Sequence, residues 1–267
     1  MRQVAVLVQN HLRAIMRDRV LYAVLGVALA MILLVPALSS FSMRQVQELA
    51  VTLSLSTVSG VLLVVTLLLG ASSIWRDIER RYTTSVLTLP ISRAAFLLSK
   101  FTSIAFFLVL CTIVLGCGSA VVILIAANSY PSDIPLHWGN ITVVLAGDIF
   151  KYLLLAAFAL LLSSVSTSFY LPFFGTLIIY FCGSASQEVF EYVSAEFGQG
   201  MSPIAAKVVT VAYYLLPNLS AFDFQVEAVY GLPISFEGVS FAFLYALVYT
   251  GILLGLAVFA FGRRELP

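Results

Sequence analysis

Few side chains in this sequence could do chemistry, and the most telling pair is Asp148 and Lys151. They lie three residues apart inside an apolar run, so a helix would place both on one face. An acid and a base at that depth are costly in lipid, and such groups by default mark a substrate or gating site. A mutual structural pair, or Lys151 reaching the interface along its aliphatic stem, is the plainer alternative. Cys111, Cys117 and Cys182 sit in apolar runs with no ligand spacing, and His11 and His137 lie in different segments. No metal ligand and no catalytic residue is therefore expected. No Gly-x-x-x-x-Gly-Lys-Ser/Thr loop occurs, so ATP is not expected to bind by that route.

A second concentration of polar groups runs from Ser73 to Lys100 and holds five of the 14 basic residues. Asp77, Glu79, Arg80 and Arg81 form a mixed-charge patch, Trp75 and Tyr82 suit a membrane interface, and Val86, Leu87, Leu89 and Ile91 add apolar contacts. Pro90 disfavours helix at Leu89 and sets a bend. Ser92 can then cap a helix running through Arg93 to Lys100. These residues describe a short surface helix, a sharp turn and a rising helix.

The elements that must hold these groups are membrane spans. The 267 residues are 61% apolar and 10% charged, with mean hydropathy +1.05; soluble domains carry roughly 25% charge. The spacing predicts an all-α integral membrane protein with six transmembrane helices, near 20–38, 50–74, 101–127, 141–165, 169–185 and 238–261. Residues 1–19 read as an amphipathic interfacial helix, with Val4, Leu7, Val8, Leu12 and Ile15 on one face. Their charges spread along the whole segment, so no cleaved signal is expected.

With the N-terminus inside, Arg2, Arg13, Arg17, Arg19, Arg76, Arg80, Arg81, Arg93, Lys100, Arg263 and Arg264 all fall on the cytoplasmic side, eleven of 14. Both termini are then cytoplasmic. The external connection 186–237 should contain short helices, near Gln187–Phe197 and from Ser202-Pro203 to Pro217. The last is too short to span and suits a re-entrant or interfacial helix. Gly251 and Gly255 form a Gly-x-x-x-Gly pair. Ser163, Ser164, Ser166, Thr167 and Ser168 should satisfy helix ends at a short inner turn. The net charge of +1 suggests no nucleic-acid partner.

The loop resembles the cytoplasmic loop of ABC-2 type transporter permeases, in which Glu-x-x-x-Gly-Thr-Leu precedes Pro-[Ile/Val]-Ser-Arg and a later Lys. Glu79, Leu87, Pro90-Ile91-Ser92-Arg93 and Lys100 stand in that order. Arg81-Tyr82 replaces the Gly-Thr pair. The order of interfacial helix, spans and external helices also resembles the family, so residues 1–267 form one transmembrane domain.

The resemblance implies a permease subunit, not itself an enzyme, of an exporter in a bacterial inner membrane. Two permease copies would pair, with two separate ATPase subunits docked beneath and ATP/Mg held there. Residues 75–97 would be the coupling loop, with Asp77, Glu79, Arg80, Arg81, Tyr82, Leu87, Pro90 and Arg93 meeting the ATPase. A periplasmic partner is compatible with the external helices. The competing classes are an assembly factor, an intramembrane enzyme and a secondary transporter, each working without an ATPase. The scarcity of intramembrane ionisable residues disfavours the enzyme and the secondary transporter.

Overall fold

The computed structural model describes residues 2–42, 45–79, 92–129, 134–194 and 203–263. Among them all regular structure is helical. The helices are α1 (Arg2–Ile15), α2 (Arg19–Ser39), α3 (Val46–Glu79), α4 (Arg93–Ser129), α5 (Trp138–Val165), α6 (Tyr170–Ser194), α7 (Pro203–Leu215), α8 (Gln225–Tyr230) and α9 (Phe236–Arg263). A 3-10 turn, Ser220–Phe222, precedes α8.

Among the described residues, five helices are long and apolar enough to cross a membrane: α2, α3, α4, α5 and α9. The expected fifth span falls on α6, whose 25 residues do not reach the same apolarity over a bilayer's width. Ser, Gly, Tyr and Gln dilute its aliphatic content. The bundle centres on α5, which packs on α3, α9, α6 and α4. Tyr152, Leu154, Leu155, Ala156, Ala157, Ala159 and Leu160 are fully buried there. By contrast, Val27, Leu33 and Leu34 of α2 and Phe241, Ile252 and Phe259 of α9 face outward. An apolar helix surface left uncovered by protein suits contact with lipid.

Two local expectations need correction. The N-terminal helix does not run unbroken to residue 19. It stops at Ile15, and Asp18 accepts a hydrogen bond from Val20 N at 3.0 Å to cap α2. A side-chain carboxylate satisfies a free helix-start amide, so the chain turns there. Nor is there a separate helix near Gln187–Phe197. Residues 186–194 continue α6, because neither Pro nor Gly interrupts them and Gln187 Nε2 donates to Glu191 Oε1 one turn on, at 2.6 Å.

The Ser-rich turn between α5 and α6 is internally bonded. Ser166 Oγ accepts from Ser168 N at 3.0 Å, and Ser164 Oγ donates to Leu161 O at 2.7 Å. Ser92 caps α4, accepting from Ala95 N at 3.1 Å.

The connection between α7 and α8 re-enters the bundle. Leu219 and Phe222 are fully buried, and Leu219 N donates to Gly183 O at 3.1 Å. Two glycines make room for this wedge. A Cβ at Gly147 would lie 2.7 Å from Phe222 O, and one at Gly183 would lie 2.6 Å from Pro217 O. Backbone can approach that closely only where no side chain intervenes. Non-helical backbone at membrane depth is tolerated when protein buries it, as here.

Candidate functional site

Among the described residues, charged groups face one another in two places. The first is the basic end of the bundle, where α1, the end of α3 and the start of α4 meet. Lys100 is buried, and its Nζ lies 2.5 Å from Asp77 Oδ2 while also donating to Ser73 O. This pair joins α3 to α4 across the loop between them. Arg76 Nη1 lies 2.7 Å from Asp18 Oδ2, tying α3 to the α1–α2 turn. Ser103 Oγ donates to Val8 O at 3.1 Å, and the His11 ring meets Phe96 edge-on at 5.5 Å.

Burial and the neighbouring Lys100 ammonium push the His11 imidazole down from 6.5 to about 4, partly offset by Asp77. Arg93 Nη1 donates to Gly262 O at 3.0 Å, so the first residue of α4 holds carbonyls at the end of α9. A cation there also complements the helix dipole.

Of the loop residues singled out by sequence, Asp77 and Arg93 are therefore spent on contacts within the chain. Glu79 ends α3. Arg80, Arg81, Tyr82, Leu87 and Pro90 lie outside the described residues. The Lys100–Asp77 link has no local sequence signal, since the two residues are far apart in the chain.

The second gathering lies midway along α5. Asp148 and Lys151 are only 5% and 8% exposed, so neither simply reaches solvent. They share a helix face and border one polar cavity of about 210 Å³. They do not pair directly, however. Ser59 Oγ of α3 donates to Asp148 Oδ1 at 3.0 Å and lies 2.7 Å from Tyr152 OH. Asp148 Oδ2 is buried without a hydrogen bond. Lys151 Nζ sits 5.4 Å from the Tyr180 ring centre and 5.7 Å from that of Tyr152. Those positions suit cation–π attraction.

Asp223 and Gln225 close the cavity from the wedge side, and Gln225 Nε2 donates to Ser56 Oγ at 2.8 Å and Thr52 O at 3.1 Å. Sequence found the acid–base pair but missed Ser59, Tyr152, Tyr180, Asp223 and Gln225. These are common residue types drawn from four helices and the connection before α8, and only the packing brings them together.

Helices apolar over the width of a bilayer, packed around a small buried polar site, define a multi-pass membrane protein. Residues 13–183, more than half of the chain, match the family described as ABC-2 family transporter protein, and the chain belongs to that family. It is thus a permease, a membrane component of a transporter that is not itself catalytic. No curated protein matches it significantly.

Proposed function

We propose that this chain is the membrane-spanning subunit of an ATP-driven ABC-2 exporter, working as a pair with two separate ATPase subunits. Six helices cross the bacterial inner membrane, α6 being the fifth, and both termini are cytoplasmic. ATP and Mg belong to the ATPase, which docks on residues 75–97. Asp77 and Arg93 anchor the two stems of that loop, while Glu79, Arg80, Arg81, Tyr82, Leu87 and Pro90 present the contact surface. Asp148 and Lys151 contact substrate or the gate.

The observation that carries this reading is the Lys100–Asp77 link with its neighbours. It binds the two stems of the loop to each other and to α1, at the end where basic residues collect. A push on the loop would move α1, α3 and α4 together instead of dissipating in a slack hinge. ATP-driven closure could then bias the bundle between two states, provided the ATPase contacts the loop differently in each.

The combined substitution Glu79→Ala and Arg80→Ala tests the assignment. Retention of the ATPase on the purified permease should fall at least about tenfold, as expected when charged contacts at an interface are removed. Unfolding of the permease alone should be unchanged. Full retention with intact coupling of ATP hydrolysis would contradict it.

A further inference from the structure

The polar cavity beside Asp148 does not stand alone. Ser56 and Gly60 of α3 line it on one side and also line an apolar groove of about 680 Å³ between α2 and α3. Val24, Val27 and Met31 form the α2 wall of that groove, and Leu53, Val61 and Val64 the α3 wall. A small charged chamber and a hydrocarbon-lined trough thus meet along two small residues, Ser56 and Gly60. Their volumes together fall within the roughly 300–1,000 Å³ of small-molecule sites.

The chamber's charges are arranged as separated opposites. Asp148 offers a buried oxygen with no hydrogen bond, and Asp223 adds a second acid at the rim. Lys151 offers an ammonium held over two tyrosine rings and not neutralised by a direct salt bridge to Asp148. Burying both charges without pairing them is costly unless something else completes them. A head group with its own cation and anion does so with both signs matched. The apolar trough would take the attached chain.

We infer that the Asp148–Lys151 chamber and the α2–α3 groove together bind one amine-bearing zwitterionic amphiphile, a phospholipid or lysophospholipid of the phosphoethanolamine kind. Its ammonium lies against Asp148 and Asp223, its phosphate against Lys151, and its acyl chain along Val27 and Val61. This rests on the reading of Asp148 and Lys151 as substrate contacts, and it names the substrate class. A head group at mid-helix depth, with its tail in the groove, is the arrangement an amphiphile must pass through while crossing. Gly60, which lines both spaces, is the control point. A Cβ there would meet nothing within 4 Å, so the first carbon of a larger side chain has room.

The test is titration of the purified full-length permease, without ATPase, by native mass spectrometry with lysophosphatidylethanolamine. Saturable binding of one molecule per chain is expected, weakened about tenfold by Asp148→Asn and by Lys151→Met, the scale of one lost charge-assisted contact. Gly60→Phe, which removes no charge, should weaken it as much, and an unchanged unfolding transition for that variant guards against misfolding of the charge variants. Phosphoethanolamine without a chain, and monoacylglycerol without charge, should bind at least about tenfold more weakly.

Equal binding of lysophosphatidylglycerol, which lacks the amine, would overturn the zwitterionic assignment. So would binding indifferent to all three substitutions. If the lipid does not bind and Gly60→Phe instead splits a dimer, the groove is an interface between copies and the inference fails. Because no ATPase takes part, failure here would leave the proposal of an ATP-driven permease standing.

Discussion

The basic end and the mid-helix chamber each bring acid and base together, but they treat the charges in opposite ways. At the basic end the pairs are direct: Lys100 on Asp77 at 2.5 Å and Arg76 on Asp18 at 2.7 Å. In the chamber Asp148 is bonded on one oxygen only, and Lys151 rests on aromatic faces. Closed pairs fix geometry, whereas charges left incomplete and lining a cavity can respond to what enters. In the proposed mechanism one region is a mechanical joint and the other a recognition site.

The sharpest way to break this contrast is to compare Lys100→Met with Asp148→Asn in thermal unfolding of the detergent-solubilised protein. Removing Lys100 strands a mostly buried carboxylate and should cost about 3–5 kcal/mol, most of it recovered in Lys100→Met with Asp77→Leu. Asp148→Asn keeps a partner for Ser59 and should cost less than about 1 kcal/mol. Equal losses would make the chamber a structural joint as well.

Next in size is Gly183→Leu, which forces side-chain carbon against Pro217 O and should cost about 1–3 kcal/mol. The same variant should loosen the wedge that roofs the chamber, read as faster amide exchange at Leu219. Unchanged exchange would separate the wedge from the site.

The joint should also carry an acid signature. Above pH 6.5 His11 is neutral whether the chain is folded or not. Between 6.5 and about 4 the unfolded chain takes a proton that the folded chain refuses, so stability falls as pH drops through this window and levels off below it. His11→Phe should remove that part of the acid loss from an unfolding series run at several pH values. An unaltered pH profile would mean that the His11 environment is more open than its packing on Phe96 implies.

The smallest effect is expected at Arg76→Gln. Its pair with Asp18 is partly exposed, so the loss should stay below about 1 kcal/mol and shrink further in high salt.

Five of the six expected spans were legible, because apolar runs of bilayer length need no tertiary information, whereas the expected fifth fell on the less apolar α6. Asp148 and Lys151 were legible for the same reason: a charge in such a run stands out. Their surroundings were not. Ser59 and Tyr152 are ordinary helix residues until α3 lies against α5, and Asp223 and Gln225 reach the chamber only because the α7–α8 connection folds back. Gly147 and Gly183 hinted at that close approach, but glycine is common in membrane helices and the partner backbone is far along the chain. The break after Ile15 had a cue in Asp18, a good helix cap that the amphipathic pattern overrode.

In the proposed mechanism a separate ATPase drives this permease through its loop. The direct measurement is purification of the tagged chain from its native membrane in mild detergent, followed by an assay of ATP hydrolysis and identification of the subunits present. A co-purifying ABC ATPase is expected, with hydrolysis that depends on the permease. A pure, folded permease with no ATPase and no hydrolysis would contradict it.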